Sequence, residues 1–291
     1  MSSWVELLPL IAVLGAVQPA PSTSPPPLEE RGVSVRLERR HERFDYRVEN
    51  PSNFEPGPLV PHFFEQRYDA DNTWILVRGV YRIAGSLSST EVGFAPAVTT
   101  AGSDVDTFLQ PSGEVITSGT RGQVRLQRLS IQQWFEMATW GPLRVGVTAV
   151  YRRSEMDFLP SDRIITRSLP PIETREPVGG DETTWSHVFA TGIAASAPVV
   201  LGTHWRLAFD GEAMPVTRAR LTISLPAKYP GEIIRQDTFG FGARGRVAVE
   251  RQFRRVTAGA AVTIGGAWGY RSSADYGEQL IGGDVFVRVT P

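Results

Sequence analysis

The residues that could do chemistry are few. Asp104 and Asp106 stand two apart in Gly102-Ser103-Asp104-Val105-Asp106. On an extended strand that spacing puts both carboxylates on one side, where like charges raise each other's proton affinity. The same pair also reads as two loop-opening residues making Asx turns. The histidines are His41, His62, His187 and His204, too few for a histidine-rich metal site. There is no cysteine, which excludes disulfides, thiolate zinc sites and cysteine nucleophiles. No Gly-x-Ser-x-Gly elbow is present. Asp69-Ala70-Asp71-Asn72 is not followed by the Gly and Glu of an EF-hand loop, and Gly240-Phe241-Gly242 reads as close packing rather than a phosphate loop. The sequence therefore predicts neither a metal nor a cofactor.

Whatever positions these groups is made of strands. Period-two alternation dominates from Val33 onward, with no helical stripe. In Val256 to Tyr270 one face carries Val256, Val262, Ile264, Trp268 and Tyr270, and the other is small and polar. Thr238 to Glu250 sets Phe239, Phe241, Val247 and Val249 against Arg244, Arg246 and Glu250. Trp205, Leu207 and Phe209 oppose Arg206, Asp210 and Glu212, which reads as lumen charge paired with Arg206. Such charge on one face is awkward in a dry sandwich core and natural inside a barrel whose other face meets lipid and ends in an aromatic girdle. A soluble secreted β-sandwich is the competing architecture.

Connections alternate in length. Short turns fall at 83–85, 140–142, 201–203 and 252–254, and longer polar stretches at 49–61, 102–120, 157–182, 226–232 and 272–277. Short periplasmic turns and long outer loops are the signature of outer-membrane barrels, and this tally predicts ten strands. The fold expected is all-β: a ten-stranded antiparallel transmembrane β-barrel over 33–291, with long extracellular strand extensions. Several strands exceed the roughly 9–11 residues that cross a bilayer, so their ends should project as a polar rim. A barrel of this size leaves a lumen largely filled by side chains, which disfavours a pore. The chain ends Val289-Thr290-Pro291 rather than in an aromatic, and Phe286 is the available substitute.

The amino terminus supports export. Leu7 to Val17 is an apolar run too short to span a bilayer, with small residues after it, as in a signal peptide covering 1–20. Its n-region carries Glu6 and neither Lys nor Arg, which leaves open a start further upstream. Residues 21–32 form a Pro/Ser-rich segment expected to stay extended and disordered. Export without a helical span leaves a soluble periplasmic protein or an outer-membrane barrel, and the strand pattern makes the bacterial outer membrane the expected location. The 291 residues carry a net charge of -1, so no basic field for nucleic acid exists. Lys228 is the single lysine among 30 cationic residues. Compositional bias explains that, and so does a liking of arginine's planar fork for phosphate and carboxylate partners.

Local residues add a resemblance. Glu65-Gln66, Asn72 and Ile75-Leu76-Val77-Arg78-Gly79 resemble the second strand of the omptin surface proteases. Leu143 through Tyr151 is similar to the strand entering their third outer loop, and His41-Glu42-Arg43 with Tyr46 to the top of their first. The order of these segments follows the family along nearly the whole mature chain. The resemblance implies a water activated between an Asp pair and an Asp-His pair across the barrel mouth. Asp104 and Asp106 match the Asp pair in place and spacing, and Glu42 matches part of the acidic pocket for a basic substrate residue. The second pair should lie at the top of the seventh strand, where Arg218 to Pro226 contains neither Asp nor His. His187, at the start of the sixth strand, is the nearest substitute, without an adjacent acid. His204 falls at the wrong end.

Two functions follow. One is a non-catalytic or catalytically altered barrel displaying its loops at the cell surface. The other is an omptin-like aspartic-type endopeptidase using a water at Asp104/Asp106 and cleaving near basic residues. Losing one catalytic pair costs orders of magnitude in rate, which favours the first. Expected partners are outer-membrane lipid, lipopolysaccharide through outward arginines such as Arg152 and Arg153, and a peptide or host surface protein.

Overall fold

The computed structural model describes residues 31–49, 62–178, 180–224, 231, 233–271 and 274–291. The expected signal peptide, most of the Pro/Ser segment and most of the first outer loop lie outside these residues. The strands are β1 (Gly32–Glu49), β2 (His62–Ile83), β3 (Ser86–Leu109), β4 (Val115–Trp140), β5 (Leu143–Ser168), β6 (Pro171–Pro177), β7 (Glu182–Leu201), β8 (Trp205–Ser224), β9 (Ile233–Phe253), β10 (Val256–Arg271) and β11 (Ala274–Val289). All neighbours are antiparallel, and β1 pairs with both β2 and β11. The strand β6 pairs only with β5, as a hairpin arm beyond the ring, and β5 goes on to pair with β7. Eleven strands less this arm give the expected ten-stranded barrel. The sixth and seventh strands anticipated from sequence are thus β7 and β8.

The four expected short turns are all at one end, the periplasmic one by the rule that governs such barrels. Ala84 and Gly85 both take positive φ (48° and 89°), the backbone that suits a two-residue turn to the twist of its strands. At the other end the strands run further than the sequence suggested. Most of 102–120, read as a loop, is the paired ends of β3 and β4, down to Leu109↔Val115.

Alternation sorts the wall into two faces. Toward the periplasmic half, Val33, Val35, Leu37, Val247, Val249, Val262, Ile264, Val285 and Val287 are exposed on the outside, as a lipid-facing belt demands. Their inward neighbours are charged and paired. Arg36 bonds Glu91 at 2.8 Å, Arg40 grips Glu38 at 2.7 and 2.9 Å, and Arg246 grips Asp284 at 3.0 and 3.1 Å. Asp210 and Glu212 are lumen charges as expected, but their partners differ. Arg246 meets Asp210 at 3.4 Å and Arg244 meets Glu212 at 3.0 Å, whereas Arg206 pairs with Glu250. The reason is register: β8 sits beside β9, and Asp210 faces Arg246 directly.

Above the belt the faces exchange character. Inside, Phe44, Val48, Phe64, Tyr68, Leu126, Phe158, Leu221 and Ile223 belong to one buried apolar cluster. Outside, the same strands carry Arg39, His41, Arg43, Glu65 and Arg67. The projecting ends are therefore not simply a polar rim. They form a water-facing barrel with its own core, because burying aromatic surface from water stabilises by roughly 25 cal/mol per Å².

Candidate functional site

Within that upper core runs a thread of polar groups. Asp104 and Asp106 lie on β3, not on a loop, and both are buried in the interior at 1% and 6% exposure. The register sets Asp104 opposite Gln66 on β2 and Thr120 on β4, and Asp106 opposite Phe64 and Ser118. From β1, the Tyr46 hydroxyl donates to Gln66 Oε1. Its single proton being used there, the 2.9 Å contact with Thr184 Oγ1 makes the threonine the donor. Gln66 Nε2 then donates to Glu182 Oε2 at 3.3 Å. A connected line thus crosses the barrel from β1 and β2 to β7. Burial pushes the Tyr46 hydroxyl well above its ordinary value, and the Glu182 and Asp104 carboxylates act in the same direction. The phenol is a hydrogen-bond donor here and not a base.

The remaining anticipated residues stand elsewhere. His187 faces outward on β7, between Arg153 of β5 and Arg220 of β8, with Nδ1 2.9 Å from the Tyr151 hydroxyl. Partial burial, then Arg153 and Arg220, hold its imidazole below the ordinary range. The wall separates it from Asp104 and Asp106, so the structure does not bring the three together. His41 also faces outward, 3.0 Å from Asp71 Oδ1, and His204 sits in a periplasmic turn. Glu42 faces inward, fully buried and deeper than the thread. Its carboxylate accepts from Asn72 and pairs with Arg128, whose other nitrogen reaches Glu278 at 2.6 Å.

Arg152 corrects an expectation. It points inward to Glu278 at 3.2 Å, and only Arg153 of the pair is outward, bound to Glu155 at 3.1 Å. Adjacent strand residues must point to opposite faces, so both could never line one rim. Glu182, assigned to a loop from sequence, and Thr184 are the members of the thread that sequence reasoning missed. The alternation Glu182, Thr184, Ser186, Val188, all buried, is the signal that marks them.

A closed ten-stranded ring, a lipid-facing belt and a charge-paired lumen define a β-barrel of the bacterial outer-membrane type. One solved structure shares the fold. The outer membrane protease OmpT from Escherichia coli superposes with a TM-score of 0.65 at 10% identity, covering 89% of this chain and 96% of that one. The translocator domain of the autotransporter NalP from Neisseria meningitidis gives 0.41 at 7% identity, covering 90% of each chain. No protein-family model matches the sequence, and no curated protein matches it.

Proposed function

We propose that this protein is a non-catalytic barrel of omptin-like build, displaying its outer strand ends and loops at the cell surface. The observation that carries this reading is orientation. Asp104 and Asp106 point into the barrel, while His187, the substitute base, points out of it. A general base must reach the proton it takes within about 3 Å or through one water, and an imidazole across the wall cannot. A charge-paired lumen below and an apolar core around the thread also speak against a conduit. Lipopolysaccharide is the lipid such an outer wall would meet, with Arg153, Arg218 and Arg220 near the head of the belt.

One observation favours the endopeptidase reading: two carboxylates on one inward face, with Asp104 opposite the Gln66 that bonds Glu182. The test is cleavage of a quenched dibasic peptide by the refolded barrel, with and without lipopolysaccharide, against Asp104→Ala/Asp106→Ala. Proposed is no turnover in either barrel while both shift on a gel when heated, and a higher unfolding temperature with the lipid. Turnover lost in the double variant would replace this reading with the protease. An unfolding temperature indifferent to lipopolysaccharide would remove that partner.

A further inference from the structure

A hollow opens on the water-facing outer wall, on the far side of β1 from the polar thread. The outward faces of β1, β2, β10 and β11 frame a groove of about 520 Å³, just above the lipid belt. Arg43, Asp45, Glu65, Arg67, Asp275 and Trp268 line it. Gly277 forms part of its floor, opposite Asp45 on β1 and Trp268 on β10. A Cβ there would lie 3.5 Å from the Asp45 carbonyl oxygen and 3.9 Å from Trp268 Cδ1, which are ordinary contacts. Gly277 is also absent from the positive-φ glycines. Neither packing nor backbone requires glycine, and its effect is to leave the hollow open.

The lining selects a ligand class. Arg67 meets Asp45 at 3.0 Å and Arg47 meets Glu65 at 3.6 Å, so the wall holds its charges in opposite-sign pairs. A guanidinium has five N–H donors and a carboxylate about four acceptor positions, so each pair keeps groups to offer a ligand. The ligand that suits them is neutral overall and rich in groups that both donate and accept. Trp268, backed by Phe241 at 5.3 Å, adds a flat apolar face. A sugar ring presents hydroxyls around its edge and C–H bonds on its face. An extended peptide fits less well, since β1, β2, β10 and β11 are each paired on both sides and offer no free backbone edge. An acyl chain would strand the charges.

We infer that this groove binds a neutral oligosaccharide, stacked on Trp268 over Gly277 and held at its edges by Arg43, Arg67 and Asp275. The inference goes beyond the proposed display function and holds whether or not the barrel cleaves peptides. Two sources share the chemistry: sugars of glycolipids in the same leaflet, and glycans from outside the cell.

The experiment is calorimetric titration of the refolded full-length barrel with two lipid-free probes, a neutral hexose oligosaccharide of the lipopolysaccharide outer core, free of acidic sugar and phosphate, and a neutral milk tetrasaccharide. The result expected is saturable binding of at least one, weakened at least tenfold by Trp268→Ala and lost in Gly277→Leu, both variants remaining heat-modifiable. Binding of the core alone makes the membrane's own glycolipid the ligand, and binding of the tetrasaccharide a foreign glycan. No saturable binding of either probe overturns the inference, as does equal binding by wild type and both variants. Should Gly277→Leu not fold, Asp45→Ala/Asp275→Ala carries the same test.

Discussion

Along β1 the inward side chains run Arg36, Glu38, Arg40, Glu42 and then, in unbroken alternation, Phe44, Tyr46, Val48. The outward ones run Val33, Val35, Leu37 and then Arg39, His41, Arg43. β2 repeats the exchange: Ile75 and Val77 are exposed in the belt, while Phe64 and Tyr68 are buried above it. The lower region puts its apolar surface toward lipid and its charges inside. The upper region does the reverse, because its exterior meets water. A strand that crosses this boundary without a bulge locates the membrane surface by itself. Each region also closes its interior differently, by ion pairs below and by aromatic packing above.

The comparison can be broken most severely in the lower region. Arg128 is fully buried between Glu42 and Glu278 and stacks over Phe44 at 4.7 Å, so it joins the two regions. Arg128→Ala removes the cation that Glu42 and Glu278 share, leaving each with one flanking arginine, Arg40 at 3.9 Å and Arg152 at 3.2 Å, and about 3–5 kcal/mol of stability should go. Denaturant midpoints of the folded band on a gel measure it. A loss under about 1 kcal/mol would mean that water reaches the ion pairs and the lumen is not closed.

A second test exploits the outer face. Val262→Arg puts charge into the belt and should cost about 2–4 kcal/mol near the bilayer centre. Gln279→Arg, outward but above the boundary, should stay within about 0.5 kcal/mol. Equal costs at the two positions would mean that the boundary is misplaced.

The smallest effect sharpens the description of the upper wall. His187 should titrate below the ordinary imidazole range, and Arg153→Ala should raise its midpoint toward that range. The sign follows from the folded state disfavouring the proton. Above both midpoints the group is neutral folded or unfolded and contributes nothing. As pH falls toward the ordinary imidazole value, the unfolded chain takes up the proton first, and His187 becomes slightly destabilising. Imidazole resonances followed through acid titration report the midpoint. One unmoved by Arg153→Ala would mean that burial and Arg220 set it.

The lower region was legible in the sequence because lipid imposes an apolar outer face that charges interrupt nowhere along Val256 to Ile264. The short turns were legible for a similar reason, each marked by Gly, or by Arg254 at the turn after Phe253. The upper core was not. On β1 the inward Phe44, Tyr46 and Val48 alternate with Arg43, Asp45 and Arg47, and the charge density there reads as solvent on every side. Asp104 and Asp106 stand in the outer part of β3, buried in the interior. Their segment reads as a loop because Gly102, Ser103 and Thr107 are turn-like by composition, while cross-strand pairing to β2 and β4 holds it extended. The partner of a lumen charge depends on the stagger between neighbouring strands, which no single strand encodes.

The pairing of β1 with β11 has a consequence for how the chain reaches this shape. Nearly every other ring contact joins segments that follow one another, so hairpins can accrete in order. Only the seam from Val33↔Val289 to Val48↔Ala274 links sequence-distant ends. Closing it brings together segments more than 200 residues apart, at an entropic cost that the preceding hairpins reduce by holding the ends in a curved sheet. The seam is thus the step at which an unfinished sheet, with two adhesive edges, becomes a ring with none.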